Sequence, residues 1–345
     1  MESEAKTVVL VSPAMAESNN GNWHTAQRWA QFLSGYCDIA LLPQWPASSL
    51  QRTPQAMVAL HARRSAASIQ AWARAYPDKP LMVVLTGTDL YRDIHTDADA
   101  QQSLALASGL VVLQDAGLAA LPEAWRGKAQ VIYQSAPALK PARKSGRRFG
   151  VLMVGHLRDE KDPLTFMRAA SHDFATGIHF EQIGLALAPL FAEQARSTEQ
   201  RTPRYRWLGG LPRAATRQHI KRAHLLVNCS LMEGGAQVIL EAVQSGTPVL
   251  ASRVSGNLGM LGADYAGYFA PGDDAGLAAL VRRCAADPDF LALLQRQCQE
   301  RSRLFEPQTE KRLVINLLAS ALDGPDGLRD PMTPAAQPAP PLKGS

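Results

Sequence analysis

Two glutamates, Glu233 and Glu241, lie eight positions apart in the stretch LVNCSLMEGGAQVILEAVQSGTPVLAS, and this pair carries the clearest chemistry in the chain. The apolar run LLVN leads into a turn holding Glu233, Gly234 and Gly235, and the pattern beyond it predicts a helix from about Ala236 to Gln244. Glu241 falls roughly two turns along that helix. A helix start presents backbone N–H groups with no intrahelical partner, which suits a phosphate. Carboxylates flanking such a start can grip the hydroxyls of a sugar nucleotide. Each acid alone would also pass as an ordinary helix-start or helix-surface residue. The surroundings decide it: strand, Glu-Gly-Gly, apolar helix, Glu-Ala, then Ser-Gly-Thr-Pro-Val and another strand. Gly246 and Pro248 supply the stop that returns the chain to the sheet.

Cations sit upstream of the pair. The strand RFGVLMVG ends at Gly155 and opens into HLRDEKDPLTFMRAA, so that Arg158 and Lys161 share one loop. Glycine permits close backbone approach at the carboxyl end of a strand, where open α/β sheets bind ligands. Taken alone, Arg158 and Lys161 read as solvated charges on a βα loop. With the carboxylates downstream they read as groups that neutralise a diphosphate as it leaves. Gly256, in RVSGNLGML, predicts a flexible loop at the next strand end.

The N-terminal half offers cations and hydroxyls at successive strand ends. TVVLVSP runs into AMAESNNGNWHTAQRWAQFL, a loop rich in Asn and Gly ahead of a helix expected to open near Thr25. Asn22, Thr25 and Arg28 can reach an anion there, while Trp29 and Phe32 read as the helix's core face. For Arg28 the two readings, anion ligand and ordinary helical residue, stand level. Next comes LHARRSAASI, with His61 at the end of an apolar run and Arg63 and Arg64 behind it. Guanidinium groups pair bidentately with phosphate-like oxygens, so the two arginines form a candidate oxyanion clamp. LTGTDLYRD places Thr86, Thr88, Asp89 and Arg92 at a third strand end, and VIYQSAP closes the rim with Gln134 and Ser135. Asp97 and Asp99 form a nominal Asp-x-Asp pattern, but they sit in a polar helix-entry segment where capping explains them. No metal requirement is expected.

Short β-branched runs alternate with amphipathic stretches almost throughout, which predicts parallel, doubly wound α/β sheets. The 345 residues suffice for two domains with their own cores. Residues 1–140 read as an N-terminal Rossmann-like domain on the acceptor side. Residues 141–305 read as a C-terminal one, with the Pro- and Lys/Arg-bearing stretch from Ala136 to Arg148 as the linker. Residues 306–322 read as a final amphipathic helix, and residues 323–345, rich in proline, as a disordered tail. A net charge of +5 without basic blocks interleaved with aromatics points away from nucleic acid. No run approaches the roughly 18 apolar residues of a membrane span. Cys37, Cys229, Cys284 and Cys298 are scattered and read as reduced thiols, so a soluble, cytoplasmic protein is expected. The oligomeric state is not legible.

The C-terminal half, over residues 149–322, resembles the retaining GT-B glycosyltransferases that use nucleotide sugars. The resemblance rests on the loop VGHLRDEK, the Glu-x7-Glu pair and the Gly-Thr-Pro-Val strand. It departs at His156, which stands where arginine is usual. The resemblance implies two Rossmann-like domains facing across a cleft, with a last helix that crosses back to the first. It also implies donor contacts from Gly155, Arg158, Lys161, Glu233, Gly234, Gly235, Ala236, Gln237 and Glu241. Of these, Glu233 would touch the donor sugar and Glu241 the ribose.

The strings GNWHTAQRWAQFL, LHARRSA, LTGTDLYRD and VIYQSA together resemble the selenosugar synthase family of selenoneine biosynthesis. That likeness implies transfer of a sugar from a UDP-sugar, chiefly UDP-N-acetylglucosamine, to selenophosphate, with UDP and phosphate released. The candidate catalytic group is then His61, Arg63, Arg64, Thr86 and Asp89. The acceptor-binding group is Asn22, Thr25, Arg28, Thr88 and Arg92. No cofactor is implied. Two other readings stay open: a conventional UDP-sugar glycosyltransferase with a hydroxyl acceptor, and a catalytically silent nucleotide-sugar-binding protein.

Overall fold

A computed structural model describes residues 6–15 and 21–323, so the expected disordered tail lies outside the described residues apart from Asp323. Among the described residues, twelve strands form two sheets. The first contains β1 (Thr7–Val11), β2 (Asp38–Leu42), β3 (Ala56–Leu60), β4 (Leu81–Leu85), β5 (Gly109–Val112) and β6 (Ala129–Val131). The second contains β7 (Phe149–Val154), β8 (Ile178–Ile183), β9 (Tyr205–Trp207), β10 (Leu225–Asn228), β11 (Val249–Ser252) and β12 (Tyr268–Phe269).

Every strand pair is parallel. The orders are β2-β1-β3-β4-β5-β6 and β12-β11-β10-β7-β8-β9. Chain direction across the sheet reverses between β1 and β3 in the first and between β7 and β10 in the second. Ligands of open α/β sheets bind outside the strand ends at such points. His61 follows β3, Gly155 follows β7, and Glu233 lies just beyond β10, so topology alone brings the best sequence candidates to the two crevices.

The continuous apolar runs exist because helices cover both faces of each sheet. All five residues of β1, β3 and β4 are buried. Ten of the twelve strands are legible in the sequence. The two that are not, β2 and β12, are edges: β2 is half exposed, and β12 is only two residues long. Short, part-wet edges carry little hydrophobic signal.

Helix boundaries shift in instructive ways. The first helix spans Gly21–Leu33, starting four residues before the expected Thr25. Asp162 and Asp97 cap the helices Pro163–Ala170 and Ala98–Leu106, Asp97 accepting from the Ala100 N–H at 2.9 Å. Asp99 instead accepts from Gln70 at 2.9 Å. The last helix, Pro307–Asp323, returns to the first domain, where Val314, Leu317 and Leu318 join Val8, Leu10, Trp29 and Leu33 in one core.

Between β6 and β7 the chain has neither helix nor strand, yet it is pinned. The Ala136 N–H donates to Phe305 at 3.2 Å, and the Leu139 N–H to Gln244 at 2.8 Å. Lys144 donates to the carbonyls of Lys221 and Ala223 at 2.8 and 2.6 Å and to the Thr247 hydroxyl at 2.9 Å. It places a cation at the carboxyl end of the helix Arg213–Arg222, which the helix dipole favours. Burial pushes its ammonium down to about 8. The four cysteines are buried free thiols. Among the described residues no helix is long and apolar enough to cross a membrane.

Candidate functional site

The candidate donor side is built from two strand ends and one short helix. Gly155 takes a φ of 154°, which sends the chain over Lys161. Lys161 closes the short helical turn Asp159–Lys161 and reaches Glu233 directly. Oε1 of Glu233 accepts this bond, one from Ser230 Oγ at 2.6 Å and one from Asn228 Nδ2 at 3.3 Å. Among the described residues, no hydrogen bond falls on Oε2. Glu233 is 8% exposed, and burial alone pushes its carboxyl up. The Lys161 ammonium, with Ser230 and Asn228, outweighs burial and holds it below the ordinary glutamate value.

Glu241 repeats the pattern in the second turn of the helix Gln237–Val243, whose N-cap is Ala236. Its Oε1 accepts from Arg213 Nη2 at 3.0 Å and Nε at 3.2 Å, and from Gln237 at 3.5 Å. Gln237 Oε1 is buried and lacks a hydrogen-bond partner among the described residues. Both carboxylates are therefore held in place through one oxygen by a cation of their own domain. Arg158 is part-exposed and lies 3.7 Å from Glu160.

On the acceptor side the structure corrects several expectations. Asp89 is fully buried, and its two oxygens accept the backbone N–H groups of Ala62 at 3.0 Å, Thr86 at 2.9 Å and Gly87 at 2.8 Å. It ties the loop after β3 to the loop after β4, and a carboxylate so saturated is a scaffold, not a proton carrier. Thr25 is also fully buried, its hydroxyl donating to the Gly21 carbonyl at 2.8 Å and accepting from Gln134. Arg28 is not an anion ligand either: Nε and Nη2 form a two-pronged pair with Glu310 of the last helix at 2.7 and 3.0 Å. Trp29 Nε1 and the Ser135 hydroxyl donate to the same carboxylate at 2.7 and 2.5 Å.

The arginine clamp is split. Arg63 turns to Asp97 at 2.9 Å, and only Arg64 of the two has no acidic partner among the described residues. Arg92 pairs with Asp93 at 2.9 Å and reaches across to Glu160 at 3.7 Å. His61 and Thr88 face one another at 3.0 Å. Asn22 lies in the first turn of the Gly21–Leu33 helix. Nearby, His24 is pushed down to about 4 by burial first, then by Arg213 and Arg28.

The two halves meet backbone to backbone. A Cβ on Gly234 would lie 2.4 Å from the Thr86 carbonyl oxygen, and one on Gly235 would lie 2.9 Å from Leu113 Cβ. Gly256 sits in the helix Ser255–Leu261 rather than in a flexible loop. A Cβ there would fall 1.9 Å from the Glu233 carbonyl oxygen, so glycine serves close approach. Tyr133 donates to the Gly259 carbonyl at 2.9 Å, and Arg301 donates to the same oxygen at 2.7 Å.

Gly234→Ala should therefore obstruct this closed arrangement while leaving each domain folded. Overpacking of this kind costs about 1–3 kcal/mol, or about 5- to 150-fold in kcat/KM if spent on closure. Steady-state kinetics beside Gly127→Ala, whose added Cβ meets nothing within 4 Å, is the check.

Sequence reasoning missed Arg213, Tyr133, Arg301 and Glu310. Arg213 alone carried a hint: a cation at a helix start opposes the dipole and needs an acid nearby. The others act across long stretches of chain and leave no local pattern.

Comparison with known proteins agrees with this geometry. Residues 148–287 match the family described as glycosyl transferases group 1. The chain is 27% identical over 175 residues to glycosyltransferase 1 domain-containing protein 1 of Xenopus tropicalis, covering 50% of this chain and 45% of that protein. It thus spans about half the length of that relative. Among solved structures it is similar to sucrose-phosphate synthase of Thermosynechococcus elongatus, with a TM-score of 0.72 at 17% identity over 91% of this chain and 98% of that one. It is also similar to Anabaena HepE in complex with UDP and glucose, with a TM-score of 0.68 at 16% identity over 91% and 100%. The chain as a whole has the two-domain GT-B fold, and residues 148–287 match the glycosyl transferases group 1 family.

Proposed function

We propose that this chain is a glycosyltransferase that moves a sugar from a UDP-sugar, chiefly UDP-N-acetylglucosamine, onto selenophosphate. The carrying observation is that Asp89, the fully buried acid at the end of β4, is saturated by three backbone N–H groups and is not free to act as a base. A hydroxyl acceptor gains from a general base. Selenophosphate is already anionic near neutral pH and needs only to be held and aimed. Arg64, Arg92, Thr86 and Thr88 would hold it.

Selenium attacks the anomeric carbon as that carbon's bond to the diphosphate oxygen breaks, and the bonding electrons leave with UDP. Water then cleaves the phosphorus–selenium bond, releasing phosphate and the 1-selenosugar. Arg158 and Lys161 would meet the charge on the leaving diphosphate, so full activity is expected in EDTA. Oε2 of Glu233 and of Glu241 are the oxygens placed to accept from sugar and ribose hydroxyls. HepE, of the same fold, was captured with UDP and with UDP-glucose, which supports a uridine donor.

Mass spectrometry of the chain with UDP-N-acetylglucosamine and freshly made selenophosphate tests the reading. Selenosugar and UDP are expected. UDP release with hydroxyl acceptors but none with selenophosphate would replace it with the conventional reading, and UDP binding without turnover with any acceptor would leave a silent binder.

A further inference from the structure

We propose that His61 is a positioning residue: it holds the Thr88 hydroxyl as a fixed hydrogen-bond donor aimed at the anionic group of the acceptor. The inference rests on the acceptor-side reading above. His61 and Asp162 are the only described residues other than glycine with positive φ, at 72° and 43°. Asp162 is explained by its cap. His61 has no such reason, and backbone strain of this kind persists where the surroundings enforce it.

What the strain achieves is the placement of the ring, which is 2% exposed. Nδ1 accepts the Arg64 backbone N–H at 3.2 Å. A nitrogen that accepts carries no proton, so the neutral ring bears its proton on Nε2. Nε2 lies 3.0 Å from Thr88 Oγ1 and donates to it. The Thr88 oxygen is thereby the acceptor, and its own proton has no partner among the described residues. Thr88 is part-exposed and follows Gly87, whose backbone abuts Gly234 of the opposite domain.

The neighbouring charges agree with a neutral ring. Burial pushes the imidazole down, Arg64 adds to this, and Asp89 and Asp93 oppose it without reversing it. Asp89 Oδ2 lies 3.8 Å from Nδ1 but already accepts from Ala62. A general base would need a bare Nε2 facing the acceptor. Here that nitrogen donates, so His61 acts through Thr88.

The test uses the full chain saturated with UDP, with inorganic phosphate as probe in isothermal calorimetry. Thr88→Val and His61→Asn should each weaken phosphate binding about tenfold, the worth of one hydrogen bond to a charged group. Thr88→Ser and His61→Gln should stay within about twofold, because a Gln side-chain N–H can stand in for Nε2 whereas an Asn amide reaches only the Nδ1 position. His61→Asn should add nothing to Thr88→Val. Nitrogen-15 spectra of the wild-type chain should show His61 protonated at Nε2 and bare at Nδ1.

Wild-type phosphate affinity in Thr88→Val, equal losses in the Gln and Asn variants, or a proton on Nδ1 would overturn the proposal. So would a wild-type chain blind to phosphate. A chain that binds phosphate in this pattern but no UDP removes the donor reading and leaves the His61–Thr88 pair standing.

Discussion

Lys161→Ala should lower turnover by about two to three orders of magnitude while raising the donor KM far less. The cation is wanted most when the diphosphate departs and its charge is greatest, so its loss falls on the transition state more than on binding. In the free protein Lys161 also neutralises Glu233. Without it, burial prevails and the Glu233 carboxyl moves up. The sign follows from the depressed value in the intact protein. Glu233 contributes stability above the unfolded glutamate pKa of about 4.3, and that contribution fades as pH falls through the lower folded value. In Lys161→Ala the contribution disappears, and acid unfolding should begin at higher pH. Steady-state kinetics and an acid titration followed by circular dichroism measure the two effects separately. Unchanged kinetics would remove Lys161 from the site.

Glu310→Ala should cost about 3–5 kcal/mol of stability, the largest effect expected of any single change outside the cleft. The carboxylate is fully buried and takes four hydrogen bonds, two from Arg28 and one each from Trp29 and Ser135. Truncating it strands the Arg28 guanidinium in the core. Urea unfolding gives the magnitude. The double replacement Arg28→Met with Glu310→Leu should recover most of the loss, because an apolar pair of similar volume need not be desolvated. If the double variant is as weak as the sum of the singles, the ion pair is not the source.

What the sequence revealed and what it hid divide along a physical line. Strands covered on both faces and glycines at strand ends are local features, so β1, β3, β4, β7 and β10 were all readable. The candidate donor residues are legible for the same reason, since Gly155, Lys161, Glu233 and Glu241 each follow or open a recognisable element. Interactions between distant segments were not. Arg28 was a coin-toss because its partner lies 282 positions away. Asp89 reads as a catalytic candidate because a short acid at a strand end looks the same whether its oxygens are free or saturated. Arg63 looked like half of a clamp because adjacency in sequence does not show which way a side chain turns.

The helix Pro307–Asp323 has a consequence for biosynthesis. The first domain's core is lined by Val314, Leu317 and Leu318, which are among the last described residues to leave the ribosome. Emerging before the second domain, the first must wait for the helix Pro307–Asp323 to be made before it is sealed, with Trp29 and Leu33 lacking their cover meanwhile. The second domain closes its own core with Phe290, Leu294, Cys298 and Phe305, all made before that helix. Maturation should thus run opposite to synthesis, and released chains truncated before residue 307 should show a protease-resistant second half behind a vulnerable first.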